Sequence, residues 1–302
     1  MSAAATGLSV FGGIPGHQHG ARAVAAGSEP ARSDRRGSTH AISLAQWSLH
    51  RTLGAGQLDP LDFPRSARED YGLEAVEYVN TFYRGAASDW VRELGSRCRE
   101  EGVRSLLIMC DDEGRIGDPD PVARTTTIEN HLPWLEAASA LGCHSIRVNA
   151  ASEGSREEQS RLAADGLRRL AERAEPFGLG VLVENHGGVS SDGAWLAATI
   201  RAADHPALGT LPDFGNWQIS EAEKYDPYRG LAELMPLARA VSAKSHDFGP
   251  DGEETGLDYG RLLQIVREAG YEGWIGIEYE GTRLSEADGI RATRELLLRK
   301  MS

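Results

Sequence analysis

From residue 40 onward the sequence repeats one pattern eight times: a short run of aliphatic residues, then a longer stretch with charged and apolar residues interleaved. The short runs fall at 41–47, 73–79, 103–110, 143–149, 180–185, 208–214, 240–246 and 274–279. Runs this short and this apolar read as strands buried on both faces, the requirement of a parallel sheet covered by helices. Between them, 126–141, 155–175, 257–269 and 285–298 carry leucines and alanines near helical spacing. Gly102, Gly142, Gly178 and Gly270 each stand where a helix must stop before the next strand. The first connection is the weakest, because Pro60 and Pro64 interrupt any helix there.

Eight strand-then-helix units predict a single closed (β/α)8 barrel over residues 40–302. The open doubly wound sheet is the competing arrangement. It would carry a glycine-rich phosphate loop after an early strand, and the sequence has none. Residues 1–39 are rich in Gly, Ala, Ser and Arg without either period, which predicts a flexible or irregular extension. Arg35 and Arg36 resemble a twin-arginine leader but lack the apolar segment that should follow. His17 and His19 read as part of the same tail.

The 45 acidic and 32 basic side chains leave a formal charge of −13. Such a surface repels phosphate backbones and anionic lipid, so neither nucleic acid nor a membrane is expected as a partner. No apolar run is long enough to cross a bilayer. Cys98, Cys110 and Cys143 lie far apart and read as free thiols, which predicts a reducing, cytoplasmic setting.

In a parallel barrel the chemistry collects at the C-terminal ends of the strands. The last four runs each end in a metal-ligand type: Glu184, Asp213, His246 and Glu278, spaced by roughly one βα unit of 30 residues. Singly, each has an ordinary role as a helix cap, turn former or interior histidine. Together they predict one divalent ion. Three carboxylates and an imidazole suit Mn²⁺ first, then Mg²⁺, Co²⁺ or Zn²⁺.

The segments around these residues, Val-Glu-Asn-His-Gly-Gly, Pro-Asp-Phe-Gly-Asn, Lys-Ser-His-Asp-Phe and Ile-Glu-Tyr-Glu-Gly, resemble the sugar phosphate isomerase/epimerase superfamily, the xylose isomerase-like TIM barrels. The resemblance spans about residues 41 to 300 and implies that Glu184, Asp213, His246 and Glu278 hold the metal. Several members carry a histidine three residues after the Asp, where this sequence has Asn216, a candidate substrate contact.

The resemblance implies proton transfer beside a carbonyl, through an enediolate stabilised by the metal. Glu184 and Glu278 are then the candidate acid/base pair, with His186 as a third catalytic candidate two residues past Glu184. Lys244 has two readings, neutralising an oxyanion or closing a buried ion pair; Glu280 is either a substrate contact or an arginine partner. Arg147, Asn149, Glu77, Gln46 and Asn80 lie at or near earlier strand ends and are expected to bind sugar hydroxyls. Trp47, Trp217 and Tyr279 either stack on a sugar face or fill the barrel mouth.

Three rival readings remain. A lyase or deglycosylase acting on keto-sugar glycosides shares the deprotonation but ends in elimination. A non-catalytic sugar-binding or partner subunit needs no turnover. An abasic-site endonuclease shares the fold but needs more clustered histidines and a basic groove. The implied partner is a small sugar or keto-sugar, with a homodimer or a partner subunit as the assembly.

Overall fold

The computed structural model describes residues 41–83 and 88–302. The expectations for residues 1–39, including His17, His19, Arg35 and Arg36, lie outside the described residues.

Eight parallel strands form the sheet: β1 (Ala41–Ala45), β2 (Ala75–Val79), β3 (Arg104–Met109), β4 (Ser145–Asn149), β5 (Gly180–Glu184), β6 (Leu208–Leu211), β7 (Val241–Ser245) and β8 (Trp274–Tyr279). Their order is β6-β5-β4-β3-β2-β1-β8-β7. The two ends meet through parallel bridges at Thr210–Ala238 and Asp213–Ser242. Ser242 N–H donates to the Pro212 carbonyl at 2.9 Å, and Phe214 N–H to the Ser242 carbonyl at 3.0 Å. The sheet therefore curls into the barrel that the eightfold repeat predicts, and Asp213 sits on its closing seam. A short antiparallel hairpin (Gln218–Ser220 with Glu223–Lys224) follows β6.

Capping fixes the helix starts. Asp120 accepts from Val122 N–H and Pro121 takes the first helical position, so that helix spans Pro121–Leu141 and begins ahead of its periodic stretch. Ser155, Asp192, Asp226, Asp258 and Ser285 cap the later helices in the same way. At the end of the Pro121–Leu141 helix, Gly142 adopts φ 76°, a left-handed conformation that a β-carbon would strain. The proline-rich first connection is broken into 3-10 turns and two short helices, His50–Gly54 and Phe63–Glu69.

One apolar layer lies between sheet and helices, held by Leu135, Leu167, Leu170, Ile275, Leu296 and their neighbours. A second, small cluster fills the barrel itself: Ala45, Val79, Leu107, Met109, Leu182, Leu211 and Ala240. The rest of the interior is polar. A β-carbon at Gly276 would stand 2.6 Å from Glu77 Oε1, so glycine there makes room for a carboxyl inside the barrel. Among the described residues no helix is long and apolar enough to cross a membrane.

Candidate active site

Strand alternation aims Glu184, Lys244 and Glu278 inward from β5, β7 and β8, and Asp213 joins them from just past β6. All four are buried. Carboxylate oxygens of Glu184, Asp213 and Glu278 lie within 4.8 Å of one another, close enough to share a divalent cation.

Local turns hold each carboxylate in place. Asn185 clamps the loop after β6: its Oδ1 accepts from Asp213 N–H at 2.8 Å, and its Nδ2 donates to the Asp213 and Asn216 carbonyls. Asp213 Oδ1 accepts from Gly215 N–H (2.7 Å) and Asn216 N–H (2.9 Å), an Asx-type turn that points the other oxygen into the barrel. There Ser242 Oγ lies 2.6 Å from Asp213 Oδ2 and 2.9 Å from Glu278 Oε2. One hydroxyl hydrogen can serve only one of these carboxylates at a time.

Two cations enter the cluster. Arg147 Nε lies 2.8 Å from Glu184 Oε2, an ion pair off the line of a good hydrogen bond, and Arg147 Nη1 donates to Asp111 Oδ1 at 2.6 Å. Lys244 Nζ lies 3.1 Å from Glu278 Oε1, 3.4 Å from Glu280 Oε1 and 4.0 Å from Asp213 Oδ2. Asn216 bridges the two halves, donating to Glu184 Oε1 (2.9 Å) and accepting from Lys244 Nζ (3.1 Å).

The charges divide the carboxyls. Burial pushes Glu184 up to about 7, against the pull of Arg147. Burial, opposed by Lys244, likewise takes Asp213 to about 7. Burial penalises the charge on Glu278 as well, but Lys244, Ser242 and Arg147 outweigh it and hold that carboxyl below its usual range. Glu77, deeper in the barrel, is pushed up to about 7 by burial despite its bond from Ser43 Oγ at 2.6 Å.

The sequence profile of the xylose isomerase-like TIM barrel family matches residues 66–300. The chain belongs to that family. It is 25% identical over 228 residues to a putative hydroxypyruvate isomerase of Drosophila melanogaster, covering 69% of this chain and 81% of the relative. It is 24% identical over 241 residues to a 2-oxo-tetronate isomerase of Pectobacterium atrosepticum, covering 74% of this chain and 87% of that one. Among solved structures, a 3-keto-D-glucoside 4-epimerase from E. coli superimposes with a TM-score of 0.66 at 20% identity, over 80% of this chain and 94% of that one.

Within this xylose isomerase-like barrel, three of the four expected ligands converge and the fourth does not. β7 ends at Ser245, so His246 belongs to the following loop, with its side chain 47% exposed. Its Nε2 lies 3.9 Å from Glu280 Oε2, and it is not among the clustered donors. Three carboxylates lie close enough to share a divalent ion, but an ammonium pairs with two of them where the imidazole was expected, so the four-ligand set does not assemble and the residues present do not fit the ion.

The expected sugar-binding residues divide likewise. Arg147, Asn216 and Lys244 belong to the cluster. Asn149 donates to Asp111 Oδ1 at 3.0 Å beside it, and its own Oδ1 is buried with no hydrogen-bond partner among the described residues. Gln46 is fully buried and spent on structure: it accepts from Val79 N–H and donates to Tyr83 Oη. Glu77 lies inside the barrel against Ser43 and Gly276. Asn80 is taken up by the Asp111 backbone and Glu113. Trp217 and Tyr279 are completely buried and pack the core. Trp47 is half-buried at the mouth, with its indole N–H on Glu280, which is therefore a tryptophan and lysine partner.

His186 is exposed on the loop after β5; partial shielding and the charges of Arg147 and Lys244 hold it below its usual range. Asp111 is the site residue that sequence reasoning passed over. Its signal was its place directly after the third apolar run, at a strand end like the others.

Proposed function

We propose that this barrel interconverts small hydroxy-carbonyl compounds of the sugar and sugar-acid type, an isomerase or epimerase that moves a proton at the carbon beside a carbonyl. The observation that carries this reading is the cluster of three buried carboxylates, two of them ion-paired with a buried ammonium and the third with a buried guanidinium. Removing such a proton requires a base on one side and a cation near the oxygens that gain charge. Glu184, Asp213 and Glu278 supply the bases; Lys244 and Arg147 supply the cations.

The split between the two glutamates suits an acid/base pair. Glu278, held ionised by Lys244, takes the proton. Glu184, whose carboxyl titrates near neutrality, returns one to the neighbouring carbon or the opposite face. His186, at the mouth and neutral, relays protons to solvent. The related isomerases are named for hydroxypyruvate and 2-oxo-tetronate, both bearing a hydroxyl beside a carbonyl, which supports the choice of substrate class.

The test is exchange of the α-proton in D₂O, followed by NMR, over a panel of short 2-oxo acids, ketoses and keto-glycosides. Exchange with one of them that is lost in Glu278→Gln, in a folded variant, supports the reading. No exchange with any, or full exchange in the variant, removes it. Release of an aglycone in place of exchange would move the assignment to a lyase.

A further inference from the structure

We infer that Lys244 occupies the position of a fourth metal ligand, and that its ammonium is the resident cation of the carboxylate cluster in place of a divalent ion. The inference deepens the isomerase reading and rests on it for its chemical meaning.

Position comes first. Lys244 and Glu278 are register partners on adjacent parallel strands, so their side chains leave the sheet on the same face at the same height. Lys244 is 2% exposed. The imidazole of His246 starts one residue past the strand, and its backbone N–H is turned toward the Glu254 carboxylate at 3.4 Å. Bringing that ring into the cluster would require extending β7 and displacing the lysine.

Coordination comes second. Lys244 Nζ has four oxygens around it: Glu278 Oε1 and Asn216 Oδ1 at 3.1 Å, Glu280 Oε1 at 3.4 Å and Asp213 Oδ2 at 4.0 Å. An ammonium has three N–H donors; Asn216 and Glu278 lie at hydrogen-bonding distance, and Glu280 and Asp213 stand at ion-pair distance. A divalent ion held by Glu184, Asp213 and Glu278 would lie against that ammonium, and two cations sharing one buried site repel.

Neutralisation comes third. Arg147 already pairs with Glu184, and Lys244 with Glu278. Asn216, an amide, joins the two halves, its Nδ2 donating to Glu184 and its Oδ1 accepting from Lys244. The protein has built from its own side chains the positive charge that an enediolate needs.

The experiment uses the full-length protein stripped with chelator. Mn²⁺, Mg²⁺ and Zn²⁺ are titrated by calorimetry, bound metal is counted by mass spectrometry, and melting is followed with and without ion. The wild type is expected to bind no stoichiometric metal and to melt at one temperature throughout. Lys244→His is expected to take up one equivalent of Mn²⁺, at least about 100-fold tighter than wild type, and to melt higher with it. One equivalent bound by the wild type and lost in Asp213→Ala would overturn the inference. So would a folded Lys244→His protein that binds no better than wild type. The wild-type titration decides even if that variant does not fold. α-Proton exchange read in parallel separates the two ideas: exchange that survives chelation supports the lysine, and exchange only after Mn²⁺ is added refutes it. Absence of exchange in both conditions removes the isomerase reading and leaves the metal result standing.

Discussion

Lys244 and Glu278 face each other across adjacent strands as register partners, and their head groups meet at 3.1 Å inside the barrel. This pair sets the electrostatics of the cluster. It keeps Glu278 charged while Glu184 and Asp213, at the same depth, titrate near neutrality.

Replacing Lys244 with Met should therefore be costly. It leaves Glu278 and Asp213 buried without their cation, and breaking a buried pair on one side costs about 3–5 kcal/mol. Chemical denaturation at neutral pH checks this. A variant as stable as wild type would mean that the carboxylates find another cation or a proton at no expense.

Arg147 depends on a residue outside the carboxylate triad. Asp111 accepts its Nη1, and Asn149 donates to the same oxygen. Asp111→Asn should loosen Arg147 from Glu184 and cost about 1–3 kcal/mol of stability. Proton exchange should fall about tenfold or more, by the same loss of alignment. Unchanged exchange would show that Glu184 is oriented by Asn216 alone.

Glu77 makes stability fall with rising pH. Its carboxyl is raised from an ordinary 4.5 to about 7 by burial, so the native state holds a proton there that the unfolded chain has released. Its stabilising contribution is complete below about 4.5 and is lost as pH rises through about 7, a change on the order of 3 kcal/mol. Glu77→Gln should flatten that part of the stability–pH curve relative to wild type. Parallel curves for the two proteins would contradict the assignment.

Gln46 should behave as a structural residue. Its side chain bridges Val79 N–H and Tyr83 Oη from a fully buried position. Gln46→Leu orphans a backbone donor and should cost about 1–3 kcal/mol, with KM unchanged for any substrate that is turned over. A raised KM at unaltered stability would return Gln46 to the binding surface.

The barrel was legible in the sequence because burial on both faces of a parallel strand leaves an unmistakable mark: eight short aliphatic runs with helical spacing between them. Glu184, Asp213 and Glu278 were legible for a related reason. The C-terminal end of a strand is a fixed place in space, so carboxylates at the ends of β5, β6 and β8, strands of one half of the barrel, converge. What the sequence could not assign was the residue on the β7 strand that completes them. Lys244 and His246 differ by two positions and share the parity of a strand, so alternation alone sends both inward. Only the tertiary structure ends β7 at Ser245, seats the lysine among the carboxylates and leaves the histidine in the loop. Gln46 and Trp217 tell the same story: their residue types allow sugar contacts, but packing against Val79, Tyr83 and Phe214 had already claimed them. The pattern of burial is written locally along the chain; which polar group meets which depends on where each strand stops, and that is decided by the neighbours across the sheet.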